Sequence, residues 1–187
     1  MMSMVEPVRV FLLDDHEIVR RGVVSVIDAE PDMEVVGEAG TADEALDVVE
    51  VCNPDVAVLD IRLGDGSGVE VCRDIRSKYP EISCLMLTSF EDDQALVEAS
   101  LAGAAGYVLK QVQGGDLLEA IRMVAEGRVL LDRATIRLAL RRLRESGEST
   151  VGDLPPQELR VFELIGDGLS NREIADEMIL AEKTIKN

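Results

Sequence analysis

The chain has 187 residues, 47% of them apolar and 30% charged, with a formal net charge of −18. That length accommodates one ordinary domain plus a smaller second one. No apolar run is long enough to cross a membrane, residues 1–7 lack the regions of a signal peptide, and a single histidine excludes a His-rich metal centre, so the reading is a soluble, cytoplasmic protein without membrane contact.

From the N-terminus, short runs rich in Val and Leu alternate with amphipathic stretches. The runs occupy Val8–Leu13, 34–37, 56–59, 83–87 and Gly106–Leu109. They are too short for buried helices and read as buried strands. Helical spacing appears between them: Ile18, Val19, Gly22, Val23 and Val26; Ala45, Leu46, Val48 and Val49; Val69, Val71, Cys72 and Ile75; Leu96, Val97 and Leu101; Leu117, Leu118, Ile121 and Val124. Five strands alternating with five helices predict an α/β domain, a doubly wound five-stranded parallel sheet covered on both faces. Cys52, Cys72 and Cys84 are odd in number with no CxxC pair, and read as small buried hydrophobes.

Residues 127–150 differ. Asp132 suits a helix N-cap. Ile136, Ala139, Leu140 and Leu143 then form one stripe, with Arg133, Arg137, Arg141 and Arg144 off it. This is either a linker helix packed on its own chain or one that mediates dimerisation or docking. Farther on, Pro155-Pro156 suits a helix start, Gly166 and Gly168 a stop, and Ser170-Asn171-Arg172-Glu173 a capping box. Another helix opens at Glu182. Helix, short helix, turn and helix is the helix-turn-helix pattern, and the chain stops in the first turns of the helix that would enter the major groove. The expected division is 7–126, a linker over 127–152 and a small, incomplete all-α unit over 153–187. Charge follows it: residues 1–126 carry 26 acids and 9 bases, net −17; residues 127–150 carry net +3; residues 151–187 carry net −4. The acidic first part repels nucleic acid, so any DNA contact has to come from a local patch elsewhere.

Ligands of parallel α/β sheets sit at the carboxyl ends of the strands. Those ends here are Asp14-Asp15, Asp60, Thr88-Ser89 and Lys110. Three carboxylates crowded together repel unless a cation sits among them, and Mg²⁺ favours such hard oxygens. Asp60 is then a nucleophile able to form an aspartyl phosphate, Lys110 a point charge for that phosphate, and Thr88 a hydroxyl donor to it. Gly64, Gly66 and Gly68 are read as keeping the following loop open. Taken alone, each residue is more often a turn residue, a cap or a solvated charge; their convergence on one rim carries the reading.

The run Phe11-Leu12-Leu13-Asp14-Asp15-His16, with Asp60, Thr88 and Gly106-Tyr107-Val108-Leu109-Lys110, resembles the CheY/flavodoxin-like receiver domain of two-component response regulators. Gly168-Leu169-Ser170-Asn171-Arg172-Glu173-Ile174-Ala175, with Lys183-Thr184-Ile185-Lys186-Asn187, resembles the LuxR-type helix-turn-helix. Together they are similar to the NarL/FixJ family, and within it to actinobacterial DevR/DosR-like dormancy regulators. The resemblance implies a DNA-binding transcriptional regulator, not an enzyme, that is phosphorylated on Asp60 by a sensor histidine kinase, in a hypoxia- or dormancy-type response. It implies Mg²⁺ on Asp15, Asp60 and the Arg62 carbonyl, with Asp14 acting through water. Thr88 and Tyr107 would form a switch pair, Lys110 would contact the phosphate, Lys183, Lys186 and Asn187 would contact DNA, and phosphorylation would favour a homodimer. Gly64 stands where many receivers have proline, implying a looser loop, and Pro155 replaces a capping threonine. The family continues past Asn187, so the chain is read as a truncated form. A protein-interaction switch that never touches DNA is the second class. An aspartyl phosphatase is the third, disfavoured because Arg62 replaces the second acid two residues after Asp60 and no Walker loop is present.

Overall fold

The structure, a computed structural model, describes residues 6–89, 92–110 and 114–146. The expected Lys183, Lys186 and Asn187 contacts, the helix-turn-helix and Pro155 lie outside them. The chain divides into two compact units, Met1–Leu131 and Asp132–Asn187.

In the first unit the elements run β1 (Val8–Leu13), α1 (Glu17–Ile27), β2 (Met33–Ala39), α2 (Ala42–Cys52), β3 (Val56–Asp60), β4 (Arg62–Leu63), β5 (Gly66–Ser67), α3 (Gly68–Lys78), β6 (Ser83–Thr88), α4 (Asp93–Leu101), β7 (Gly106–Leu109) and α5 (Gly114–Ala125). Five strands form one parallel sheet in the order β2-β1-β3-β6-β7. This is the doubly wound sheet expected from the sequence. Its central strands are buried on both faces, which is why they read as unbroken Val/Leu runs rather than alternating ones. Phe11, Leu13, Ala57, Leu59, Cys84 and Met86 face the core beneath α2, α3 and α4. Val10, Leu12, Val56, Val58, Leu85 and Leu87 face the core that α1 and α5 cover. Each fully buried Leu or Phe contributes about 1.5–3 kcal/mol. The three cysteines are buried free thiols, as expected.

Two expectations need correction. The apolar face of α1 is not the row Ile18, Val19, Gly22, Val23 and Val26, since Ile18 is 88% exposed and Val19 and Val26 are exposed too. Ile27 is buried, Val23 and Val24 pack against the core, and the Arg20 guanidinium tucks under the rim to donate to the Asp14 carbonyl at 2.6 Å. The inward row is therefore rotated, to 20, 23, 24 and 27. The loop after Asp60 is not open either. β4 and β5 pair as a small antiparallel hairpin, and a Cβ on Gly68 would lie 1.8 Å from the Asp60 carbonyl oxygen. Gly68 serves close backbone approach rather than looseness.

The second unit contains α6 (Arg133–Ser146). Asp132 caps it, its carboxylate accepting from the Ala134 N–H at 3.1 Å, as the sequence predicts. Ile136, Ala139, Leu140 and Leu143 are buried along one stripe.

Candidate functional site

Parallel strands deliver their last residues to one edge, and the register sets the depth of each. Leu13 pairs with Leu59, so Asp14 and Asp60 lie side by side at the ends of adjacent strands. Thr88 pairs with Leu109 on β7, which puts Lys110 one residue beyond. The Lys110 N–H donates to the Thr88 carbonyl at 2.6 Å and fixes that turn.

The side chains then meet. The Lys110 ammonium lies 2.6 Å from Asp14 Oδ2 and 2.6 Å from Asp60 Oδ2. Asp14 is 0% and Asp60 5% exposed. Asp14 Oδ1 accepts from the His16 N–H at 2.8 Å, and Asp60 Oδ1 accepts from the Arg62 N–H at 3.4 Å. Asp15 lies at the exposed lip, where its Oδ2 accepts from the Gly64 N–H at 2.9 Å. A proline at 64 has no N–H for that bond, so Gly64 ties the hairpin after Asp60 to Asp15 where the resemblance implied a looser loop. His16 Nδ1 lies 2.7 Å from Asp15 Oδ1.

One ammonium does not balance three carboxylates. Burial pushes the Asp60 carboxyl above its usual range, against the pull of Lys110. Burial also works against the Lys110 charge, but the hydrogen bonds to Asp14 and Asp60 outweigh it and raise its pKa. Ligand atoms from Asp14, Asp15, His16 and Asp60 all lie within 4.8 Å of one another. The oxygens in this set suit a small hard dication, which would relieve the repulsion that Lys110 leaves unbalanced.

Across the rim, the Thr88 hydroxyl and the Tyr107 phenol share a hydrogen bond, the Asp92 backbone N–H also donates to the phenolic oxygen, and burial raises the Tyr107 pKa. Asp92 also caps α4, its Oδ1 accepting from Gln94 and Ala95, while its Oδ2 lies 3.4 Å from an Arg62 side-chain nitrogen.

Of the residues singled out from the sequence, Asp14, Asp60 and Lys110 form one hydrogen-bonded group. Asp15 borders it, and Thr88 and Tyr107 touch each other. Sequence reasoning gave no role to His16, the Gly64 N–H or the Arg62–Asp92 pair. Only His16 had a local signal, directly after Asp15. The others depend on how a hairpin folds back and where α4 begins.

Residues 10–122 match the response regulator receiver domain, and residues 153–187 match the luxR family of bacterial regulatory proteins. The chain is 48% identical over 182 residues to the DNA-binding transcriptional activator DevR/DosR of Mycobacterium tuberculosis, covering 96% of this chain and 84% of that protein. It is 35% identical over 181 residues to the transcriptional regulatory protein LiaR of Bacillus subtilis, covering 96% and 86%. A crystal structure of a LuxR-family two-component response regulator from Aurantimonas is similar over 66% of this chain and 89% of its own, with a TM-score of 0.64 and 35% identity. With a receiver domain followed by a luxR-type domain, the chain belongs to the two-component response regulators of the DNA-binding, transcription-regulating kind rather than to an enzyme family.

Proposed function

We propose that this regulator is switched by phosphorylation of Asp60 and that the buried Asp14–Lys110–Asp60 group, which leaves carboxylate charge unbalanced, is the observation that carries the reading. A sensor histidine kinase is the phosphoryl donor. An Asp60 carboxylate oxygen attacks the phosphorus of its phosphohistidine, a P–O bond forms, the P–N bond breaks, and the electron pair leaves on the imidazole nitrogen, which takes up a proton. Asp15, Asp60 and the Arg62 carbonyl, with Asp14 through water, would hold Mg²⁺, which when bound neutralises charge on the transferring phosphoryl group. Lys110 then exchanges part of its contact with Asp60 for a phosphoryl oxygen. Thr88, hydrogen-bonded to Tyr107 in this structure, turns its hydroxyl toward the phosphoryl group and releases the ring, which biases the domain between two conformations.

The output we assign is binding of a two-fold operator by a homodimer, with Lys183, Lys186 and Asn187 on phosphates and base edges. The working division is receiver 7–126, linker 127–152 and DNA-binding unit 153–187, in a cytoplasmic protein. Similarity to DevR/DosR favours a dormancy- or hypoxia-type stimulus. The direct test supplies a phosphorylated kinase domain and Mg²⁺ and follows acid-stable, base-labile phosphate on the chain. Wild type takes up phosphate and Asp60→Asn takes up none. Equal uptake by the two would overturn the assignment.

A further inference from the structure

The helix α6 carries five arginines and one glutamate, in a chain whose net charge is −18. Arg133, Arg137 and Arg141 recur every four residues, so they rise about 6 Å apart along one side of the helix. All three are exposed, whereas Ile136, Ala139, Leu140 and Leu143 on another side are buried. Like charges four residues apart destabilise a helix, so the row works against the stability of α6 instead of serving it. Among the described residues Arg137 and Arg141 make no ion pair.

We infer that this arginine row is a sequence-independent docking surface for the DNA sugar-phosphate backbone, an inference that rests on the DNA-binding reading and extends it beyond the helix-turn-helix. Two observations favour DNA over the other available polyanion, the acidic receiver of a second copy. First, α6 belongs to the same compact unit as the luxR-type segment. Second, five of the nine basic residues of that unit, 132–187, lie on α6, while residues 151–187 carry net −4. Phosphate contacts supply affinity and its salt dependence without reading bases. Arginine suits this role because its fork donates to two phosphate oxygens at once.

The experiment uses the full-length, phosphorylated regulator, a duplex from its own promoter region and a scrambled duplex of the same composition, with affinity measured by fluorescence anisotropy over a salt series. The double variant Arg137→Gln/Arg141→Gln changes exposed residues only and relieves one like-charge pair, so its thermal stability should equal or slightly exceed wild type and its phosphoryl uptake should match. The expected result is weaker binding to both duplexes by the same factor and a slope of log affinity against log salt shallower by about 2, near 0.9 per lost phosphate contact. Arg137→Lys/Arg141→Lys restores most of the slope. An unchanged slope in the Gln variant overturns the inference while leaving the DNA-binding reading in place. Weaker self-association with an unchanged slope assigns the row to a second copy and also overturns it. No salt-sensitive binding by wild type to either duplex overturns both, whereas loss of discrimination between duplexes in Lys183→Ala alone, with the Gln-variant slope shallower, supports both.

Discussion

The two ends of the central sheet treat charge differently. At the amino-terminal end, exposed arginines pair with carboxylates at the surface. Arg122 on α5 clamps Glu30 at 2.6 Å and Asp32 at 2.7 Å, just before β2. Arg9 sits 3.6 Å from Glu34, and its N–H donates to Asp55. At the carboxyl-terminal end, Asp14 and Asp60 are buried against a single lysine, and Asp15 adds a third carboxylate at the lip. The first arrangement, two arginines among four carboxylates, is open to solvent, which screens its excess negative charge. The second holds its excess carboxylate where burial keeps water from screening it. Surface ion pairing accounts for the first end; the second suits the cation and phosphoryl group of the proposed switch. The contrast also separates the consequences of mutation, since losing a partner among buried charges costs far more than losing one at the surface.

The largest effect follows from removing the lysine that bridges the two buried carboxylates. Lys110→Met leaves Asp14 and Asp60 buried without it, and should cost about 3–5 kcal/mol in urea unfolding at neutral pH. Adding Asp60→Asn to that variant should recover part of the loss. A cost under about 1 kcal/mol would show that the pocket is wetter and less demanding than its burial indicates. Next is Gly68→Ala. Its Cβ has to displace the Asp60 backbone carbonyl, so a loss of about 1–3 kcal/mol should accompany slower phosphoryl uptake, because the strain falls on Asp60 itself. Asp92→Ala removes the α4 cap and should cost about 1 kcal/mol. It also removes the carboxylate that meets Arg62, so the affinity for beryllofluoride should change in this variant and not in a cap variant elsewhere, such as Thr41→Ala on α2.

The smallest effect belongs to the amino-terminal end. The hydrogen bond from Arg122 holds the Asp32 carboxyl below its ordinary value of 3.8. A depressed folded-state pKa contributes stability that is present above pH 3.8 and fades as pH falls through the folded value. Arg122→Leu should therefore flatten the acid limb of the stability curve and leave neutral-pH phosphoryl uptake unchanged. Asp60 has the opposite sign. Its raised value means that ionising it opposes folding, so without metal Asp60→Asn should unfold later than wild type at neutral pH.

Much of the functional end could be read from residue order. Strand positions follow from runs of Val and Leu, and the strand-end rule then brings Asp14, Asp60 and Lys110 together across 96 positions of sequence. The turn of α1 onto the sheet could not be read this way, because Ile18, Val19 and Val26 fit the helical period as well as the residues that pack. Arg20 settled the face, through a hydrogen bond to a backbone carbonyl that has no sequence signature. The hairpin β4–β5 was missed for a related reason. Three glycines in five residues suggest freedom, yet here they allow close backbone approach and a bond to Asp15. The paired charges of the amino-terminal end also went unread, since nothing local links Arg122 to Asp32.

The carboxyl-terminal rim gathers carboxylates that suit a cation and a phosphoryl group. The most direct test of this is the thermal unfolding of wild type and of Asp15→Asn across a Mg²⁺ titration. Wild type should gain stability along the curve expected for one site, about 2.7 kcal/mol at a hundredfold excess over Kd, and Asp15→Asn should gain little over the same range. Equal stabilisation of both proteins, or of neither, would contradict the account.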